Sequence, residues 1–151
     1  MKEQLISFET AKLAKEKGYS NGSGTLYIQY HESYVYDEDP NHPESYKKNE
    51  IRMEEYYTIN NSKPYDISNE YYTQYEAPTQ SLLQKWLREE HKIYIEICHS
   101  YRDLTHYTYH VYTNWEEYSS KMMKAFNNEL KHFLTYEEAL EAGLQKALSC
   151  I

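Results

Sequence analysis

The chain of 151 residues carries 24 acidic against 16 basic side chains, and its net charge of −8 opposes binding to duplex nucleic acid through cationic phosphate contacts. Its length fits a single domain, 1–151, that can bury a core without metals or disulfides, and the sequence has no run of about 18 apolar residues to span a membrane. Leu, Ile, Val and Phe supply only 26 residues, so the 19 tyrosines have to complete the core, ring bodies inward and hydroxyls toward water or a carbonyl.

A tyrosine-rich recognition surface is the other use for those rings, and the two coexist without conflict. The start, MKEQLISFE, is charged where a secretory leader would be apolar. Cys98 and Cys150 lie far apart with no C-x-x-C pair and fit free thiols in a reducing, intracellular compartment.

In chain order, Ser7 predicts the cap of a first helix over 8–17, with Gly18 placed to end it and Lys15 and Lys17 in its last turn. Its apolar face of Phe8, Ala11 and Ala14 is narrow and predicts docking at a sheet margin. After the turn at 21–24, Thr25 to Tyr30 alternates as a strand with Leu26, Ile28 and Tyr30 on one face, and 33–36 offers a hairpin partner. Residues 37–50, with two prolines and almost no apolar content, read as a mobile loop. Residues 51–59 are rich in strand formers, whereas 65–77 has no clean period.

The clearest change of period follows. Leu82, Leu83, Trp86 and Leu87 share one face of a helix over 79–90, begun near Ala77, Pro78 and Thr79, and they are expected in the core. Only His91 and Lys92 separate this helix from a strand over 92–99 in which Ile93, Ile95 and Ile97 alternate with polar residues. A turn at Arg102 and Asp103 leads to a partner strand over 106–113. Trp115, Tyr118, Met122 and Phe126 fit a further helix over 115–127, and Thr135-Tyr136-Glu137-Glu138 is a capping box opening a final helix over 136–150. The predicted fold is α+β: an antiparallel sheet of about four strands with three or four helices packed mainly on one face.

Three blocks, KEQLISFETAKLAKEKGY at 2–19, APTQSLLQKWLREEHKIYIEI at 77–97 and TYEEALEAGLQKALSCI at 135–151, resemble a group of small proteins carried by phages and prophages of gut bacteroidetes. The group has no assigned activity. The resemblance therefore implies a genomic context and a bacterial cytoplasm, with no catalytic residue carried over. Where function varies within such a group, it is expected in the unmatched stretches 20–76 and 99–134.

Residues with chemistry to offer are few. His106 and His110, four apart on a strand, are separated by about 13 Å and cannot share a metal; His91 at a helix end is explained by the helix dipole. Cys98 and His99 are adjacent on a strand and point to opposite faces, which rules them out as a thiol–base pair. No phosphate-cradling or nucleophile motif appears, and neither a cofactor nor a metal is expected. Lys85 and Arg88, one turn apart, with Tyr94 beyond them, form the candidate ligand-binding set: two cations and a ring for stacking, set against a plain solvated helix face.

Together these features favour a non-enzymatic binding protein with a host or phage protein as partner. The alternative is a sponge for a small anionic nucleotide-like ligand. An acidic DNA mimic fits less well, because the charge of −8 is thin beside one phosphate per about 1.7 Å of duplex; a small hydrolase has no motif to support it. Exposed Tyr and Trp would also suit a homodimer face.

Overall fold

A computed structural model describes residues 3–20, 24–30, 51–55, 72–100, 104–113 and 131–151. Its elements are α1 (Phe8–Glu16), β1 (Thr25–Tyr30), β2 (Ile51–Glu55), β3 (Tyr72–Glu76), α2 (Gln80–Glu90), β4 (Tyr94–His99), β5 (Tyr107–Tyr112) and α3 (Tyr136–Leu148). The class is α+β with antiparallel pairing throughout. The chain divides into two compact units: Met1–Tyr19 joined with Pro78–Ile151, and Ser20–Ala77 inserted between them. The loop expected at 37–50, the strand partner at 33–36, the turn at Arg102 and Asp103 and the helix at 115–127 lie outside the described residues.

The first unit is assembled on α3. Thr135 caps it reciprocally: its hydroxyl accepts from the Glu138 N–H at 3.2 Å while the Glu138 carboxylate accepts from the Thr135 N–H at 3.3 Å. Ala139, Leu140, Gly143, Leu144, Ala147 and Leu148 form its buried stripe, and α1, α2, β4 and β5 all pack against it. At Gly143 a Cβ would stand 2.9 Å from Ile95 Cγ2 and 3.4 Å from Tyr109 Cβ, so the missing side chain sets how closely α3 approaches the β4–β5 hairpin.

The narrow face of α1 docks on α3, where the sequence predicts a sheet margin. A polar cluster that the apolar pattern does not reveal joins the three helices. Glu141 Oε1 accepts from the Ser7 N–H at 2.9 Å and from the Thr10 hydroxyl at 2.5 Å, and Oε2 accepts from Gln80 Nε2 at 2.9 Å. Gln145 Nε2 donates to Thr10 Oγ1 at 3.0 Å. Thr10 and Gln80 are buried, so each of these donors would cost free energy if left without its acceptor.

Thr79 caps α2, and Leu83 and Leu87 are fully buried beneath it. Leu82 and Trp86 are half-buried, which corrects the expectation of a core tryptophan: the indole lies edge-on between Tyr19, 5.2 Å away by ring centroids, and His91, at 4.4 Å. Two residues suffice to turn the helix into the strand because Lys92 adopts φ 57°, a left-handed conformation, and Ile93 N–H reaches back to Leu87 O at 3.1 Å. Ile93 is buried, while Ile95 and Ile97 are only half-buried.

Among the described residues five strands form two sheets, in the orders β2-β1-β3 and β4-β5, where the sequence pattern suggests one sheet of about four. The physical reason lies in the hairpin edges. Gln84 Nε2 donates to the outward carbonyl of Ile95 on β4 at 3.1 Å, and Tyr107 on β5 exchanges backbone hydrogen bonds with Phe133 at 2.8 and 2.9 Å. Edges engaged in this way do not add a further long strand.

Within the inserted unit, Leu26, Ile28 and Gln74 share one buried sheet face. The opposite face carries Tyr27, Gln29, Ile51, Met53 and Tyr75, with Tyr75 Oη donating to Gln29 Oε1 at 3.2 Å. The ends of the unit are tied together: Ala77 N–H donates to Thr25 O at 2.9 Å and Ser20 Oγ to Glu76 Oε1 at 3.3 Å.

Candidate functional site

The β4–β5 hairpin presents one face to α3 through Ile95 and Tyr109. Strand alternation puts Tyr94, Glu96 and Cys98 of β4 with Thr108, His110 and Tyr112 of β5 on the other face. The register sets Glu96 directly opposite His110 and Cys98 opposite Thr108. Tyr112 Oη donates to Glu96 Oε2 at 3.2 Å, and the His110 ring stacks along Tyr112 with centroids 6.2 Å apart. Thr108 and Tyr112 are buried, Glu96, Cys98 and His110 half-buried, and Tyr94 is exposed.

A thiol, an imidazole and a carboxylate thus share a sheet face, a grouping that sequence reading missed because it depends on register across a turn. Its chemistry is unfavourable to a nucleophile. Burial pushes the Cys98 thiol above its ordinary range, and the neighbouring Glu96 carboxylate adds to the shift, so the reactive thiolate is scarce at neutral pH. His99 is on the opposite face, its ring 4.6 Å from that of Tyr107, which agrees with its separation from Cys98 by alternation. His106 faces His132 across the bridge that joins Tyr107 to Phe133, with ring centroids 6.3 Å apart. Among the described residues no group of three His, Cys, Asp or Glu side chains is placed to hold a metal ion, and no helix is long and apolar enough to cross a membrane.

Lys85 and Arg88 are exposed on α2, and Tyr94 follows after the turn at Lys92. An anion stacked on the sheet side of Tyr94 would meet Glu96, two residues along the same face and so about 7 Å away. That repulsion amounts to roughly 0.6 kcal/mol at the dielectric of water and about 2.4 kcal/mol at an effective value of 20. Exposed cations return about 1 kcal/mol or less each. The three residues therefore supply the elements of anion binding, and Glu96 offsets much of their gain on this face.

No family model, curated protein or solved structure matches the chain.

Proposed function

We propose that this protein is a non-enzymatic binding module of phage or prophage origin that acts in the bacterial cytoplasm on a host or phage protein. The observation that carries this reading is the exposure of large apolar side chains in each unit, Met53 at 59% in one and Leu104 at 76% and Leu134 at 70% in the other. Such surface favours burial against another protein when it is contiguous. The protonated state of Cys98 at neutral pH supports a binding role over thiol catalysis. Affinity capture with the full chain as bait, followed by reconstitution of the purified pair, tests the reading: a stoichiometric complex is expected. Sustained turnover of nucleotides, peptides or nucleic acid by the purified chain, abolished by a single substitution, would overturn it.

A second reading, sequestration of a small anionic nucleotide-like ligand, draws support from the exposure of Lys85, Arg88 and Tyr94. It predicts a thermal-shift response to cyclic or linear nucleotides, about 2.7 kcal/mol at a hundredfold the dissociation constant. That response would vanish in Lys85→Ala/Arg88→Ala. A flat response across the nucleotide series would eliminate it.

A further inference from the structure

The bridge between Tyr107 and Phe133 brings together two histidines that stand far apart in the chain, His106 and His132. In an antiparallel pairing the residues that precede each partner lie diagonally across one face, and here their rings meet with centroids 6.3 Å apart and planes at 76°. The backbone is held on both sides of the pair. Ser100 N–H donates to His106 O at 2.8 Å, Tyr107 and Phe133 exchange hydrogen bonds at 2.8 and 2.9 Å, and the Glu138 carboxylate accepts from the Leu134 N–H at 3.1 Å. His132 is exposed and His106 half-buried, so an ion can reach the pair from solvent.

The ring separation suits shared coordination. An ion about 2.0–2.1 Å from each ring nitrogen stands about 3.2 Å from each ring centre, so two imidazoles on one ion have centroids roughly 5.2 Å apart at the tetrahedral angle and about 6.4 Å apart when opposed. The observed 6.3 Å falls inside that window, and rotation of the exposed His132 side chain covers the remainder. The Thr105 hydroxyl lies 3.0 Å from His106 Nδ1, the type of outer contact that fixes the ring of a ligating histidine and directs coordination to Nε2. We propose that His106 and His132 form a binding site for one divalent transition-metal ion of the copper, nickel or zinc class, to which imidazole is suited, with water completing the coordination. Two protein ligands make this an exchangeable site, weaker than the four-ligand structural kind. A bound ion would fasten the segment entering α3 to β5 and reinforce the Tyr107–Phe133 bridge.

The test is calorimetric titration of the full chain, free of any affinity tag, with nickel chloride, in a Cys150→Ser background that keeps the exposed thiol out of the measurement. One ion per chain is expected, with copper binding more tightly than nickel and magnesium not binding. His106→Ala and His132→Ala should each weaken nickel binding at least tenfold, while His91→Ala and His110→Ala leave it unchanged. Nickel should also slow amide exchange at Tyr107 and Phe133 in the parent chain and leave it unaltered in His132→Ala. Thermal melts in chelator check that the variants fold, and the exposed His132 position decides the matter if loss of the His106 ring disturbs the turn. Absence of nickel binding, an equal response to magnesium, or binding that survives His132→Ala would overturn the proposal.

Discussion

At Gly143 helix propensity and packing pull in opposite directions. Alanine would ordinarily gain about 1 kcal/mol over glycine inside a helix, yet its methyl group would lie 2.9 Å from Ile95 Cγ2. Overpacking of a close contact costs typically 1–3 kcal/mol. Gly143→Ala is therefore expected to destabilise by up to about 2 kcal/mol, read as a lower denaturation midpoint at unchanged slope; a stabilised variant would show that the hairpin yields at this point. The thiols give a second residue-scale prediction. Cys150 is exposed and donates to Lys146 O at 3.3 Å, while Cys98 is half-buried with its ionisation disfavoured. A disulfide-exchange reagent at neutral pH should label Cys150 first, and Cys98 at least tenfold more slowly. Because folding disfavours the Cys98 thiolate, its contribution to stability is intact below the ordinary thiol value of about 8.5 and declines as pH rises beyond it. Equal labelling rates in Cys98→Ser and Cys150→Ser would contradict the difference in environment.

At the scale of elements, the helices were legible because their ends are written in local chemistry: Ser7, Thr79 and Thr135 each accept the expected backbone hydrogen bond. The strand Tyr72–Glu76 was not legible. Gln74 and Tyr75 are both buried, on opposite faces of the sheet, so no alternation of polar and apolar residues marks it. The polar face of β4–β5 escaped for another reason, since neither Glu96 nor Cys98 reveals its cross-strand partner without the register. The Glu141 cluster was hidden because it joins residues more than 130 positions apart. It makes Glu141 the junction of the three helices, with Thr10 as its partner on α1. Thr10→Val keeps the shape but removes a donor to Glu141 and an acceptor for Gln145, and should cost about 1–3 kcal/mol. Urea unfolding would check this, and a loss under about 0.5 kcal/mol would mean that water replaces the hydroxyl.

For the whole molecule, the segments 2–19, 77–97 and 135–151 fall almost entirely in the helical unit, and 20–76 is almost coextensive with the inserted one. Ser20 and Glu76 are in hydrogen-bond contact, so the junctions are near one another, and six glycine-rich residues, reaching up to about 20 Å, can join Tyr19 to Pro78. Replacing 20–77 with such a linker should leave a cooperatively unfolding helical unit, visible as a sigmoidal thermal transition in far-ultraviolet circular dichroism. A molten, non-cooperative product would show that the helical unit depends on the insertion.

The docking of α1 on α3 also bears on how the chain is made. Ribosomes finish α1 well before its main packing partner exists, since 132 residues separate Glu16 from Leu148; at 5–20 residues per second the wait is roughly 7–26 s. The contact of Leu5 with Thr79 closes across 74 residues of chain, all of them synthesised before α3. Prior pairing of Thr25 with Ala77 shortens the effective loop from 74 residues to about 20, sparing about 1 kcal/mol of closure entropy. The insertion would then act during synthesis as a clasp that holds the two halves of the helical unit together until α3 emerges to lock them.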